Sequence, residues 1–283
     1  MRSIVLLAAT ALALLPGAAA VPMKLAAAQV LTNDGDFDGN LHRVSTAVAA
    51  AAQGGAELVA FPETSLDGWM ENGAIKVAPP VPGNWSATIG QLAQAHSIWV
   101  LIGIVETDAD TKKLYDVAIL VDKTGRLVMK HRKNNIVCAN AGCNYQPGHN
   151  VSVAPDTPWG RLGILICADT FDEGVVGRMA ALQPDILIVP YGFQAPPAEN
   201  VQNGQELMDR VRVTAKAVGA PMVGVNNVGA VGGNTGTPGH ASMGVGNTYC
   251  GFSSWADKTG KTMAMAADRD VDLAFWTINT NKR

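Results

Sequence analysis

Apolar positions along the chain fall into short runs separated by amphipathic stretches and by turns rich in Gly, Pro, Asn and Asp. Residues 24–30 (KLAAAQV) read as a buried strand, and residues 40–52 as a helix with Leu41, Val44 and Val48 on one face. An apolar strand at 58–61 runs into Pro62-Glu63, and the Pro and Gly content makes 62–84 a loop. Residues 85–96 read as helix and 99–106 as strand. Residues 114–121 and 127–131 read as two strands about the turn DKTG at 122–125.

The second part of the chain repeats this alternation. A long loop at 132–150 holds Asn, Gly, Cys and Pro, and loops of this length are often functional. Residues 161–166 form a strand that ends at Cys167. Helix is expected at 174–182, strand at 186–189, a Pro-rich loop at 190–200, helix at 201–219 and strand at 222–226. A Gly-rich surface excursion occupies 229–246. A hairpin follows, 249–256 and 263–266 about a second DKTG turn at 257–260, and 273–278 closes the pattern. Strands alternating with helices imply an α/β domain with buried sheets. The repeated DKTG suggests two similar halves, or one favourable hairpin turn used twice.

Composition adds three constraints. With 48% hydrophobic and 16% charged residues, the chain is apolar enough for a large core and is not disordered. A formal charge of -3 provides no global basic field, which argues against nucleic acid as a partner. Residues 1–20 read as a signal peptide: Arg2, an apolar run at 4–15, the breaker Pro16-Gly17, then Ala18-Ala19-Ala20. That run is shorter than the ~20 residues a membrane span needs. Cleavage after Ala20 leaves a domain of residues 21–283, with an uncleaved anchor as the alternative. Later apolar runs are broken by Gly, Pro or charge, so no stable membrane insertion is expected after cleavage. Export, to the periplasm or beyond the cell, places Cys138, Cys143, Cys167 and Cys250 in an oxidising compartment. Cys138 and Cys143 could close a small disulfide and Cys250 could be buried and free, but connectivity is not legible in sequence.

Three residues could carry chemistry. Cys167 stands where a strand turns toward a helix, so free backbone N–H groups can favour its thiolate and hold an oxyanion. Glu63 follows a strand ended by Pro62, and burial among apolar neighbours is expected to raise its pKa toward that of a general base. Each has an ordinary reading too, as a core thiol and a loop carboxylate. A lysine in Lys130-His131-Arg132-Lys133 could supply a fixed cation, although such runs are usually solvated patches. Strand alternation separates Lys130 and Arg132 from His131 and Lys133 without choosing between the lysines. Tyr191 and Phe193 follow the strand at 186–189 and could line the pocket, as could Trp69, or else be core aromatics.

Taken together, residues 61–69 (FPETSLDGW), 131–133 (HRK) and 157–169 (TPWGRLGILICAD) resemble the nitrilase superfamily of carbon–nitrogen hydrolases. The similarity extends through YQPG at 145–148, VGVNNVG at 223–229 and GFSS at 251–254. It implies a four-layer α-β-β-α sandwich and a Glu63–Lys133–Cys167 triad. The choice of Lys133 follows because the family's lysine comes after the Arg of this segment. It also implies homodimers or larger homo-oligomers, no metal and no organic cofactor. The implied activity is hydrolysis of a nonpeptide carbon–nitrogen bond, the amide or carbamoyl group of a small molecule, through a cysteine thioester. Lys133 and the Ala168 N–H would hold the oxyanion. Two departures stand out. Many members carry a second glutamate shortly before the Pro-Gly matching Pro147-Gly148, where this chain has no acid, and many have a bulky residue where this chain has Ala168. Asp169 matches an acid found two residues after the cysteine and reads as a helix N-cap. Acyl transfer to an amine, or a silent binding protein on the same fold, are the competing functions.

Overall fold

The computed structural model describes residues 21–70, 78–138, 144–231, 246–280 and 282. The expected signal peptide, Cys143 and most of the Gly-rich stretch lie outside the described residues.

β1 (Val21–Gln29), β2 (Leu58–Ala60) and β3 (Trp99–Thr107) pair in parallel, connected by α1 (Phe37–Gln53) and α2 (Asn84–His96). β4 (Leu114–Val121) and β5 (Leu127–Arg132) extend the sheet antiparallel. The second sheet follows the same plan. β7 (Gly160–Ile164), β8 (Ile186–Tyr191) and β10 (Met222–Asn226) are parallel and are connected by α3 (Glu173–Ala181) and α4 (Asn200–Val218). β13 (Ser254–Ala256) and β14 (Thr262–Met265) extend it antiparallel. Each sheet is closed on its other edge by one antiparallel strand, β15 (Asp272–Thr280) on β1 and β6 (Val153–Thr157) on β7. β9 (Gln194–Ala195), β11 (Val228–Ala230) and β12 (Thr248–Cys250) make a small third sheet.

The strand order therefore describes two similar halves, and the two DKTG turns occupy equivalent places. Asp122 Oδ1 accepts from Thr124 N at 2.9 Å and Arg126 N at 3.1 Å, while Asp257 Oδ1 accepts from Thr259 N at 2.8 Å and Lys261 N at 3.1 Å. Both turns end on a left-handed glycine, Gly125 at φ +86° and Gly260 at φ +84°.

Alternation along the strands fixes the layers. Leu58, Leu101, Ala118, Leu120, Leu162, Ile164, Ile186, Ile188, Val223 and Val225 face inward and form the core between the sheets. The opposite face of the first sheet packs on Val44, Val48, Ile89 and Ala93 of α1 and α2. The opposite face of the second packs on Val175, Met179, Leu207 and Val211 of α3 and α4. The result is the α-β-β-α sandwich expected.

Several boundaries differ from those read in sequence. β7 ends at Ile164, ahead of the expected Ile166. β6 went unread because Pro155 and Asp156 break its alternation. Residues 249–256 are two strands in two sheets, divided at Gly251 (φ +67°) and Phe252 (φ +56°). Cys250 is buried with a free thiol, and Cys138 is disulfide-bonded. No helix among the described residues is long and apolar enough to cross a membrane.

Candidate active site

The loop after β2 is fixed through its backbone. Glu63 N donates to Tyr191 O at 3.3 Å, Asn227 Nδ2 donates to Glu63 O at 3.1 Å, and Ser65 N donates to Gly103 O at 2.8 Å. Thr64 adopts φ +47°, a left-handed conformation uncommon for a non-glycine residue. Gly103 on β3 lets this loop pass, since a Cβ there would stand 2.6 Å from Glu63 Cα. Lys133 follows β5 directly, with its N–H donating to Asp116 O at 2.9 Å. Met129, His131 and Lys133 are buried while Lys130 and Arg132 point away to pair with Glu106, so the strand itself selects the lysine. Cys167 opens a 3-10 turn (Cys167–Phe171) at φ +40°, a strained conformation of the kind that clusters at functional sites.

These approaches bring the three side chains together. Lys133 Nζ donates to Glu63 Oε1, and Cys167 and Asp116 are near enough to act on the Glu63 carboxyl. Asp116 Oδ2 lies 3.2 Å from Lys133 Nζ on its other side. Burial disfavours the Glu63 carboxylate, but Lys133, Asp116 and Cys167 together hold its pKa below the ordinary range. The rise expected from burial alone is thus overturned by the adjacent ammonium and donors. Burial and the Glu63 charge push the Cys167 thiol well up against the opposing pull of Lys133 and the Gly192 N–H. Both directions favour a thiol beside an ionised base, the pairing in which Glu63 can take the thiol proton. Lys133, despite burial, is kept an ammonium by Glu63 and Asp116.

Asp169 joins two of the three segments. Its Oδ1 accepts from Asn134 N and Asn135 N, both at 2.8 Å, and its Oδ2 accepts from Ile166 N at 3.0 Å and His131 Nε2 at 2.8 Å. It does not cap α3, as its sequence position suggested. Asp172 does that, accepting from Val175 N at 3.0 Å. Asp169 instead clamps the end of β5 onto the cysteine turn.

A cavity of about 380 Å³ opens beside the triad. Trp69, Val137, Ala168, Phe171, Phe193 and Tyr249 contribute apolar walls to it. Lys133 Nζ sits 5.0 Å over the Trp69 ring, and Phe171 stacks on Phe193 at 5.8 Å. Ala168, one residue into the 3-10 turn, presents an N–H that has no partner within the turn.

Residues 24–282 match the sequence model of the carbon-nitrogen hydrolase family. The chain belongs to the carbon-nitrogen hydrolase family. Among curated relatives of the chain, an (R)-stereoselective amidase of Pseudomonas sp is 28% identical over 62% of this chain and 62% of its own length. An omega-amidase of Xenopus laevis is 30% identical over 67% of this chain and 69% of its own. The chain thus spans under two thirds of the first relative. The fold is that of an amidase from Nesterenkonia sp., with TM-score 0.76 at 17% identity over 94% of this chain and 93% of that one. A mutant of the same amidase, carrying acrylamide at its active site cysteine, gives 0.74 at 16% identity over 91% and 92%.

In this member of the carbon-nitrogen hydrolase family the expected pocket residues divide. Trp69 and Phe193 line the cavity, but Tyr191 does not. Its ring follows Leu187 and Val189 onto the face toward α3 and α4, where its hydroxyl donates to Thr170 Oγ1 at 3.1 Å. What Tyr191 supplies is the carbonyl that receives Glu63 N. Gly192, Tyr249, Asn135 and Asp116 were not foreseen. Asp116 had a legible signal, because alternation along β4 places it on the inward face with Ala118 and Leu120.

Proposed function

We propose that this protein hydrolyses the amide or carbamoyl group of an uncharged small molecule by thiol catalysis. The observation that carries this reading is the convergence of Glu63, Lys133 and the Cys167 thiol at one end of an open apolar cavity. Glu63 takes the thiol proton as sulfur bonds to the carbonyl carbon. Charge gathers on the carbonyl oxygen, which Lys133 and the Ala168 N–H receive. Glu63 then gives its proton to nitrogen, the carbon–nitrogen bond breaks, and ammonia or an amine leaves a thioester on Cys167. Water, deprotonated by Glu63, adds to the thioester. Its collapse releases the carboxylic acid and restores the thiol.

Among the described residues, the only charged groups lining the cavity are Glu63 and Lys133, which are already paired. This favours a neutral, apolar acyl group over one bearing a carboxylate. The acrylamide adduct at the cysteine of the Nesterenkonia amidase supports reading Cys167 as the nucleophile. The disulfide at Cys138 agrees with export into an oxidising compartment, and we read residues 1–20 as the export signal. Terminal sequencing of exported protein beginning far from Val21 would remove that part of the proposal.

The test is an ammonia-release screen over aliphatic and aromatic amides, carbamoyl amino acids, nitriles and half-amides of dicarboxylic acids. Release from neutral amides by the wild type and none by Cys167→Ala is the expected result. Equal release by both proteins refutes thiol catalysis, and a preference for the half-amides refutes the neutral substrate.

A further inference from the structure

Asp116 is fully buried, belongs to none of the three segments that suggested the triad, and reaches the same ammonium as the general base. Two carboxyl groups therefore share one buried cation. Were both ionised, this cluster would carry an excess negative charge in the inter-sheet core, with like charges in contact. The surroundings do not relieve it. Among the described residues neither Asp116 oxygen has a well-formed hydrogen bond, and the 3.2 Å approach of Lys133 Nζ is its only close cation. A carboxylate left so poorly solvated is costly, whereas a neutral acid needs only one acceptor. The Glu63 carboxyl, which meets the same Lys133 Nζ, is the neighbouring acceptor.

We propose that Asp116 serves as a neutral carboxylic acid which donates its proton to Glu63 beside Lys133, making it the positioning residue of the general base. It reaches the site from β4. The inference rests on the hydrolase reading above and gives that site its resting proton inventory: Glu63 carboxylate, Asp116 acid, Lys133 ammonium and Cys167 thiol. The direction of the Asp116 pKa, raised by burial and by Glu63, agrees. The other titratable groups facing this cluster among the described residues are Tyr145, whose pKa burial, Asp67 and these carboxyls raise, Tyr249, raised chiefly by burial, and the thiol itself.

The sign of one shift tests the assignment. A neutral acid donating to Glu63 lowers the pH at which Glu63 accepts a proton. Replacing it by a weaker donor, Asp116→Asn, moves the acid limb of Cys167 alkylation by iodoacetamide upward, by about half a pH unit or more. Asp116→Ala, which removes the donor, moves it further. If Asp116 is instead ionised, both substitutions delete a negative neighbour and the limb moves down. A downward shift, or none, overturns the proposal. Circular dichroism across the range keeps loss of fold separate. A purely packing role would leave the limb where it is.

An infrared difference spectrum of folded wild type minus Asp116→Asn at neutral pH supplies a readout independent of reactivity. A protonated-carboxyl carbonyl band is expected, and carboxylate bands in its place overturn the assignment. Wild-type Cys167 that alkylates no faster than a free thiol would sink the hydrolase reading and this proposal together. Fast alkylation with a downward shift would sink only the role of Asp116.

Discussion

Asp169→Asn is the substitution that most directly tests how the site is held. The native carboxylate uses both oxygens, one on Asn134 N and Asn135 N, the other on Ile166 N and His131. An asparagine amide keeps one oxygen and turns an NH₂ toward donors it cannot serve. With the NH₂ toward Asn134 and Asn135 two bonds are lost, and with it toward Ile166 and His131 the Ile166 bond is lost and the imidazole must change tautomer to accept. Hydrogen bonds to a charged group contribute about 1.5–3 kcal/mol each, so the loss of one or two gives roughly 1.5–6 kcal/mol. For a domain of this size that is a fall in melting temperature of roughly 10 °C. The damage falls between Lys133 and Cys167, and a misplacement of about 1 Å at a reacting group can cost ~100-fold in rate. Urea denaturation gives the stability change, and the iodoacetamide rate of Cys167 under folding conditions gives the functional one. A loss below about 1 kcal/mol with unchanged alkylation would refute the clamp.

Other expectations follow from single contacts. A Cβ at Gly192 would stand 2.8 Å from Glu63 Oε2, so Gly192→Ala should slow Cys167 alkylation by roughly 10- to 100-fold, and an unchanged rate contradicts the packing described. Asp67 is buried with both carboxyl oxygens unpartnered, and burial raises its pKa well above the ordinary range. A raised folded-state pKa means the native chain binds the extra proton, so its stabilising contribution is lost as pH rises from the ordinary carboxyl range through the folded value. Asp67→Asn should therefore gain stability relative to wild type as pH rises, measured as urea midpoints, and a gain toward acid pH would reverse the argument. Peptide mapping without reductant should find Cys138 linked while Cys167 and Cys250 alkylate freely after unfolding, and a bridged Cys167 would exclude the mechanism.

The elements read most easily from sequence were those whose period is set by burial on a fixed face. All four helices and the inward strands fall in this class, within a few residues of their observed bounds. β6 escaped because it is held by pairing with β7, which no local pattern records. The split at Gly251 escaped because it depends on which sheet each half joins. At the site, Glu63 and Cys167 were legible as polar residues at the ends of apolar strands. Their protonation was not, since it depends on which charges arrive from other segments. Glu63 looks like a base whose pKa burial should raise, until Lys133 is placed beside it from 70 positions away. Tyr191, open in sequence between pocket wall and core aromatic, is the second. Continuing the alternation of Leu187 and Val189 would have sent its ring to the helix side.

The duplication in the fold explains why the site is where it is. Each half alone can make a sheet covered by two helices, but its inward face is apolar and needs the other half. Glu63, Asp116 and Lys133 come from strands β2, β4 and β5 of the first half, and Cys167 follows β7 of the second. The base and its cation are thus assembled within one sheet, and the nucleophile is delivered across the interface. The inter-sheet core sets the distance between them. Trimming Ile164 or Ile188, which lie in that core on β7 and β8, should slow Cys167 alkylation while leaving the Glu63–Asp116–Lys133 cluster of the first sheet intact. Leu187 packs on the opposite face of β8, against the helices, so a matched Leu187→Val should cost similar stability and leave the alkylation rate near wild type. If the two faces prove equally damaging to reactivity, the sulfur is positioned by its own turn and not by the contact between the halves.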